Sequence, residues 1–169
     1  IMTKDDIQQA SIRGNAGRAM TAVILKGVGG KEYADPTTSD LQAATVTGDH
    51  LAAVFSEVPF GLPDEPLTPD AKGSTWCLLY GQDSFTKLFT PRQLLATGVF
   101  ARHVRAATAE LRSMGYTDPW VEAIASALYM TVSRLIDRNS VLCTWQVGAE
   151  KIGHTFAQWA LPIMWDYVE

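Results

Sequence analysis

Lys151, His154, Thr155 and Gln158 recur at intervals of three, four and seven, the spacing that gathers side chains on one face of a helix. With Arg134, Asn139 and Trp145 close by in the chain, they make a set of cations, hydrogen-bond donors, one imidazole and one indole. Such a set suits holding phosphates or docking another domain, and it lacks a nucleophile paired with a base. The polar outer face of an ordinary helix has the same pattern, so the spacing leaves both readings open. All of these residues fall between Arg134 and Tyr167, a stretch that also holds three of the five tryptophans.

Other chemistry-bearing residues are scattered. His50, His103 and His154 show neither His-x-x-x-His nor His-Glu-x-x-His spacing, and no serine stands in a Gly-x-Ser-x-Gly elbow. Asp64-Glu65 imitates a carboxylate pair, but it sits among prolines where nothing tunes or orients an acid and a base. Gly27-Val28-Gly29-Gly30-Lys31 resembles a phosphate loop only superficially. Leu25 stands where the first glycine of that loop is required, and Glu32 replaces both its hydroxyl and the third glycine of a dinucleotide fingerprint. A turn accounts for these glycines. Cys77 and Cys143 stand far apart in apolar company, too few for a structural zinc site and suited to buried thiols in a reducing cytoplasm.

The composition, with 47% hydrophobic and 19% charged residues, is that of a soluble globular domain. The net charge of −4 offers no general attraction to nucleic acid. Its distribution is uneven: residues 1–86 carry 6 basic and 11 acidic side chains, residues 87–138 carry 7 and 4, and residues 139–169 carry 1 and 3. Arg92, Arg102 and Arg105 contribute to the basic middle, where a polyanion could settle or water alone could. No apolar run reaches bilayer length and no signal-peptide pattern is present, which makes the cytoplasm the expected compartment. The ragged start and the abrupt Tyr167-Val168-Glu169 ending suggest a piece of a longer polypeptide.

The elements that must position these residues follow from periodicity and punctuation. Residues 1–36 read as a polar leading loop and then a β-hairpin, with RAMTAVILK as one strand and Gly27–Gly30 as its turn. Residues 37–58 read as a helix broken near Gly48. Four prolines make 59–74 an extended connector outside the core. Within 75–89, Trp76-Cys77-Leu78-Leu79-Tyr80 reads as a short buried strand that could give the hairpin a third member. Residues 90–169 form the helical core. Thr90-Pro91-Arg92-Gln93 is a capping box with proline at the first position, predicting a helix over about 90–113 in which Gly98 marks close packing or a bend. Asp118-Pro119 opens a second over about 118–138, antiparallel to the first, and a third is expected over about 149–161, closed by Pro162. The fold class is α+β, predominantly α.

Several strings in this order also carry a resemblance: LFTPRQLL at 88–95, DRNSVLCTW at 137–145, Lys151 through Phe156, and QWALPIMWDY at 158–167. Arg18–Lys26, the Gly27–Gly30 turn, Tyr33, Pro36-Thr37 and Leu67–Pro69 precede them in a matching order. The chain resembles, over nearly its whole length, the large multi-domain adenine-specific DNA methylases that carry a zinc ribbon and an N-terminal domain of unknown function. The resemblance implies a parent enzyme that moves a methyl group from S-adenosylmethionine to the exocyclic amine of adenine. It places this segment after the zinc ribbon and before the Asp-Pro-Pro-Tyr strand. Neither the family's glycine-rich cofactor loop nor Asp-Pro-Pro-Tyr occurs here, and Trp165-Asp166-Tyr167 lacks the two prolines that shape that loop. What is implied is an inserted helical piece, inactive alone and binding no cofactor itself. Three jobs are open to it. Arg92, Arg102, Arg105, Arg134, Asn139, Trp145, Lys151 and His154 could help hold DNA, the same surface could dock on the catalytic domain of the same polypeptide, or it could meet partner proteins of a phage-defence system.

Overall fold

A computed structural model describes residues 1–69, 73–156 and 160–168. The protein is α+β and mainly helical. Its elements are α1 (Lys4–Ile12), β1 (Val23–Lys26), β2 (Lys31–Ala34), α2 (Thr38–Ala43), α3 (Gly48–Phe55), α4 (Thr75–Leu79), α5 (Pro91–Ser113), α6 (Asp118–Ile136), β3 (Trp145–Gln146) and β4 (Lys151–Ile152).

Local chemistry explains most boundaries. At the head of α5, Thr90 Oγ1 accepts from the Gln93 amide at 3.1 Å while Gln93 Oε1 accepts from the Thr90 amide at 2.9 Å. This is the reciprocal box expected from the sequence. Thr37 and Asp40 build the same device at α2, and α3 begins separately at Gly48, with His50 Nδ1 accepting from the Thr47 amide at 3.2 Å. That bond gives His50 a capping role. β1 and β2 pair antiparallel with Val23 opposite Ala34 and Lys26 opposite Lys31, as the glycine turn predicts.

Four expectations need correction. Residues 1–17 are not simply a loop, because Thr3 and Asp6 form a capping box that starts α1. The Trp76–Tyr80 run is helix α4 and not a strand, so the N-terminal hairpin keeps two members. A short apolar run satisfies either structure, and here the turn from Ser74 decides, its carbonyl accepting the Leu78 amide at 3.2 Å. The proline-rich connector contributes to the core: Leu67 is buried, its amide donates to the Asp83 carbonyl at 2.8 Å, and the Phe85 amide donates back to the Glu65 carbonyl at 3.1 Å. Finally, no helix starts at 149. Val147–Ala149 is a single 3-10 turn, and β3 and β4 pair across it with Trp145 opposite Ile152. Residues 157–159 of that expected helix lie outside the described residues.

Two apolar clusters hold these pieces. In the first, Leu67, Cys77, Leu88, Val141 and Leu142 are buried, with Leu161, Ile163 and Tyr167 packed against them. In the second, Val54 and Phe55 of α3 meet Leu94 of α5. Phe89 touches both. Gly81 is required by geometry twice over: its φ is +75°, and an added Cβ would lie 3.0 Å from Ile12 Cα on α1. Among the described residues, no helix is long and apolar enough to cross a membrane.

Gly98 explains how α3 and α5 approach so closely. A Cβ there would stand 2.8 Å from both Phe55 Cε2 and Val54 Cγ1, atoms that the cluster holds in place. Gly98→Ala gains about 1 kcal/mol of helix propensity and loses about 1–3 kcal/mol to overpacking. The variant is expected to unfold at a lower urea concentration, by up to about 2 kcal/mol. A variant as stable as the parent would show that α3 can be displaced without loss.

Candidate functional site

The candidate residues converge where α6 ends. Asp137 caps that helix, and its side chain and backbone together bind the segment that follows β4. Asp137 Oδ2 accepts from His154 Nδ1 at 2.6 Å, Oδ1 accepts from the Phe156 amide at 3.3 Å, and the Asp137 carbonyl accepts from the Thr155 amide at 2.6 Å. On the far side of the imidazole, Arg138 Nη2 donates to His154 Nε2 at 3.1 Å. His154 is therefore gripped at both ring nitrogens, which leaves neither free to act as a base. Beneath this clasp lies a buried polar knot. Ser140 Oγ and Thr155 Oγ1 are 2.8 Å apart, and Thr155 Oγ1 lies 3.3 Å from the Cys143 thiol. Ser140 and Thr155 are both buried, so each hydroxyl needs these partners.

Burial alone would raise the Asp137 pKa. The His154 hydrogen bond, the Phe156 amide and the nearby positive charge of Arg138 outweigh it, holding the carboxyl below its ordinary value of 3.8. Cys77, in the core behind, shows the opposite effect, with burial pushing its thiol up to about 11. Its Sγ donates to the Leu161 carbonyl at 3.4 Å, a protonated and unreactive arrangement.

Of the remaining candidates, Asn139 is also drawn into this corner. Its Nδ2 donates to the Gln93 carbonyl at 3.3 Å, tying the end of α6 to the first turn of α5, where Arg92 is half-buried. Trp145 faces the other hairpin: its Nε1 donates to the Tyr33 hydroxyl at 3.0 Å, and Lys31 Nζ stands 5.0 Å from its ring. Lys31 Nζ also donates to the Glu150 carbonyl, so the two hairpins are joined through one indole and one ammonium. Lys151 is exposed on β4.

Three candidates fall elsewhere. Arg102 is tied to Glu57 at 3.3 Å. Arg105 is exposed further along α5, about 20 Å from Arg92 at the helical rise. Arg134 is exposed on α6, on the face that carries Trp120 and Met130. The expected helical stripe of Lys151, His154, Thr155 and Gln158 does not exist as such: Lys151 is in a strand, His154 and Thr155 are in the clasp, and Gln158 is outside the described residues. Sequence reasoning missed Asp137 and Arg138 as working parts, and Lys31 and Tyr33 as the supports of Trp145. An acidic residue followed by a basic one at a helix end was the available signal for the first pair.

The Gly27–Gly30 turn does not fit the glycine-rich loop that holds S-adenosylmethionine. That loop must lead from a strand into a helix, whereas Gly27–Gly30 joins two antiparallel strands. The open depression of ≈ 670 Å³ beside that turn is bordered by Ile24, Lys26, Val28 and Glu150, with no helix N-terminus facing it. Among the described residues there is no group of three or more His, Cys, Asp or Glu side chains that could hold a metal ion. No family model, curated protein or solved structure matches the chain.

Proposed function

We propose that this chain is an inserted helical module of a cytoplasmic, S-adenosylmethionine-dependent adenine-specific DNA methyltransferase, and that it helps hold DNA for a catalytic domain elsewhere in the same polypeptide. The reading rests on the ordered resemblance of its strings. The observation that carries it is the corner where α5 starts and α6 ends. Arg138 and His154 are bonded to each other there, Asn139 is bonded to the first turn of α5, which carries Arg92, and Lys151, Lys31 and Trp145 lie on the two hairpins. The exposed ammonium of Lys151 and the remaining N–H groups of Arg138 suit phosphate-directed positioning, which fixes register and reads no sequence. The methyl transfer itself, the cofactor and the flipped adenine belong to the parent enzyme's other domains.

Binding of this kind is dominated by counterion release. The chain should bind a labelled duplex with a Kd of roughly 10⁻⁴–10⁻⁶ M at physiological salt, tightening steeply as salt is lowered. Lys151→Ala should flatten the log K against log salt plot by about 0.9 for one lost phosphate contact. Binding without salt dependence, or none at 50 mM salt, would remove the DNA role.

A second reading, a module that organises the catalytic domain or meets partner proteins of a phage-defence system, draws support from the exposed surface. The accessible area is 11410 Å² for 18.4 kDa, against about 8,200 Å² for a monomer of that mass. Loss of methylation with DNA affinity unchanged, after Lys151→Ala and His154→Ala in the parent enzyme, would favour it.

A further inference from the structure

Helix α6 carries only Asp118, Glu122 and Arg134 as charged residues in DPWVEAIASALYMTVSRLI, so its apolar residues extend beyond a single buried face. Yet of its side chains only Val121 and Val132 are buried. Its inner face packs on α5. Its outer face presents Trp120, Ala123, Ala127, Met130, Thr131 and Arg134, all exposed, at the helical repeat of three, four and seven. Trp120 is 65% exposed and Met130 64%, so the stripe carries two large apolar side chains on one face.

We infer that this stripe is covered by the same stripe of a second copy, in an antiparallel, two-fold pairing of α6 on α6. The order of side chains is what selects this occupant. Ala127 lies at the centre of the stripe, and the residues on either side are complementary at equal steps from it. Seven positions before Ala127 stands Trp120 and seven after stands Arg134. A two-fold axis at Ala127 therefore lays each Arg134 guanidinium over the partner's Trp120 indole, a cation–π contact made twice. Met130 comes opposite the partner's Ile124, and Thr131 opposite the partner's Ala123. The small Ala127 side chains meet at the axis, where they allow an interaxial distance at the short end of the 8–10 Å range. The only cation on the stripe thus finds its acceptor on the other copy, and a closed, isologous dimer results.

The test is the mass of the intact chain in solution, with no DNA present. Sedimentation across micromolar concentrations should give twice 18.4 kDa. Ala127→Glu opposes two carboxylates at the axis and should weaken association by on the order of 100-fold. Ala127→Cys keeps the stripe apolar and should give a disulfide-linked dimer on mild oxidation, because only residues at the axis bring their own Cβ atoms to within about 4.5 Å. Ser126→Cys, about 100° round the helix, should not cross-link. The native thiols do not interfere, since Cys77 and Cys143 are buried. A chain that stays monomeric, a dimer indifferent to Ala127→Glu, or an Ala127→Cys variant that fails to cross-link would each overturn the proposal.

Discussion

Leu142→Ala should cost about 2–5 kcal/mol of folding stability, the range for deleting a large aliphatic side chain from a site that cannot collapse. Leu142 is 2% exposed and sits among Leu67, Cys77, Leu88 and Val141. Its amide is held at 3.1 Å by Ser140 Oγ, so the backbone is pinned while the side chain is removed. A cavity left there cannot be filled by a shift of residues 140–143. For a chain of this length the loss corresponds to a fall in Tm of about 5–15 °C. Since a domain is commonly stable by only about 5–15 kcal/mol, the variant should populate unfolded forms measurably. Urea unfolding followed by tryptophan fluorescence would measure this, with Leu41→Ala as the comparison, since Leu41 is 49% exposed. A loss below about 1 kcal/mol would mean that the first cluster is not a rigid core.

Asp137→Ala should come next, at about 1–3 kcal/mol, the scale of hydrogen bonds made to a charged group. The substitution removes the acceptor for His154 Nδ1 and for the Phe156 amide and strips Arg138 of a nearby counter-charge. The effect also has a pH signature. Because the folded pKa lies below the ordinary 3.8, the stabilisation is fully present above that value. It is lost as pH falls through the lowered folded pKa, where the carboxylate is protonated in both states. Parent and Asp137→Ala stabilities should therefore differ at pH 7 and converge as the pH drops below the carboxylate range. Asp6 and Asp40, also lowered by their capping threonines, titrate in the same window, so the difference between the two proteins is the quantity to follow. A gap that persisted unchanged in acid would place the stabilisation elsewhere.

The long helices were legible because their signals are local. Thr90, Pro91 and Gln93 announce α5, Asp118-Pro119 announces α6, and both then repeat apolar residues over many turns. The β1–β2 hairpin was legible from its glycine turn. Helix α1 has an equally good capping box in Thr3 and Asp6, but too few apolar residues to give it a face. The β3–β4 hairpin was misread for the reverse reason. Lys151, His154 and Thr155 happen to fall at helical spacing, whereas Gly153 packs its Cα side against Thr144, where a Cβ would meet Oγ1 at 3.2 Å. Only tertiary structure reveals that approach. The site divides in the same way. Asn139, Trp145 and His154 were grouped because they are close in the chain, but Trp145 turns instead to Tyr33, 112 residues away, and nothing local joins those two.

Cys77 donates to the Leu161 carbonyl across 84 residues, and the Leu161 amide returns the tie to the Gly73 carbonyl at 2.6 Å. One wall of the first cluster is thus built by residues that leave the ribosome long after α4 has emerged. Early helices can form and pair as they appear, but Cys77 and Leu67 must wait with their apolar sides open until 160–168 arrives. Synthesis passes through a stage in which half-finished chains are sticky, and a nascent-chain chaperone would find its natural grip there.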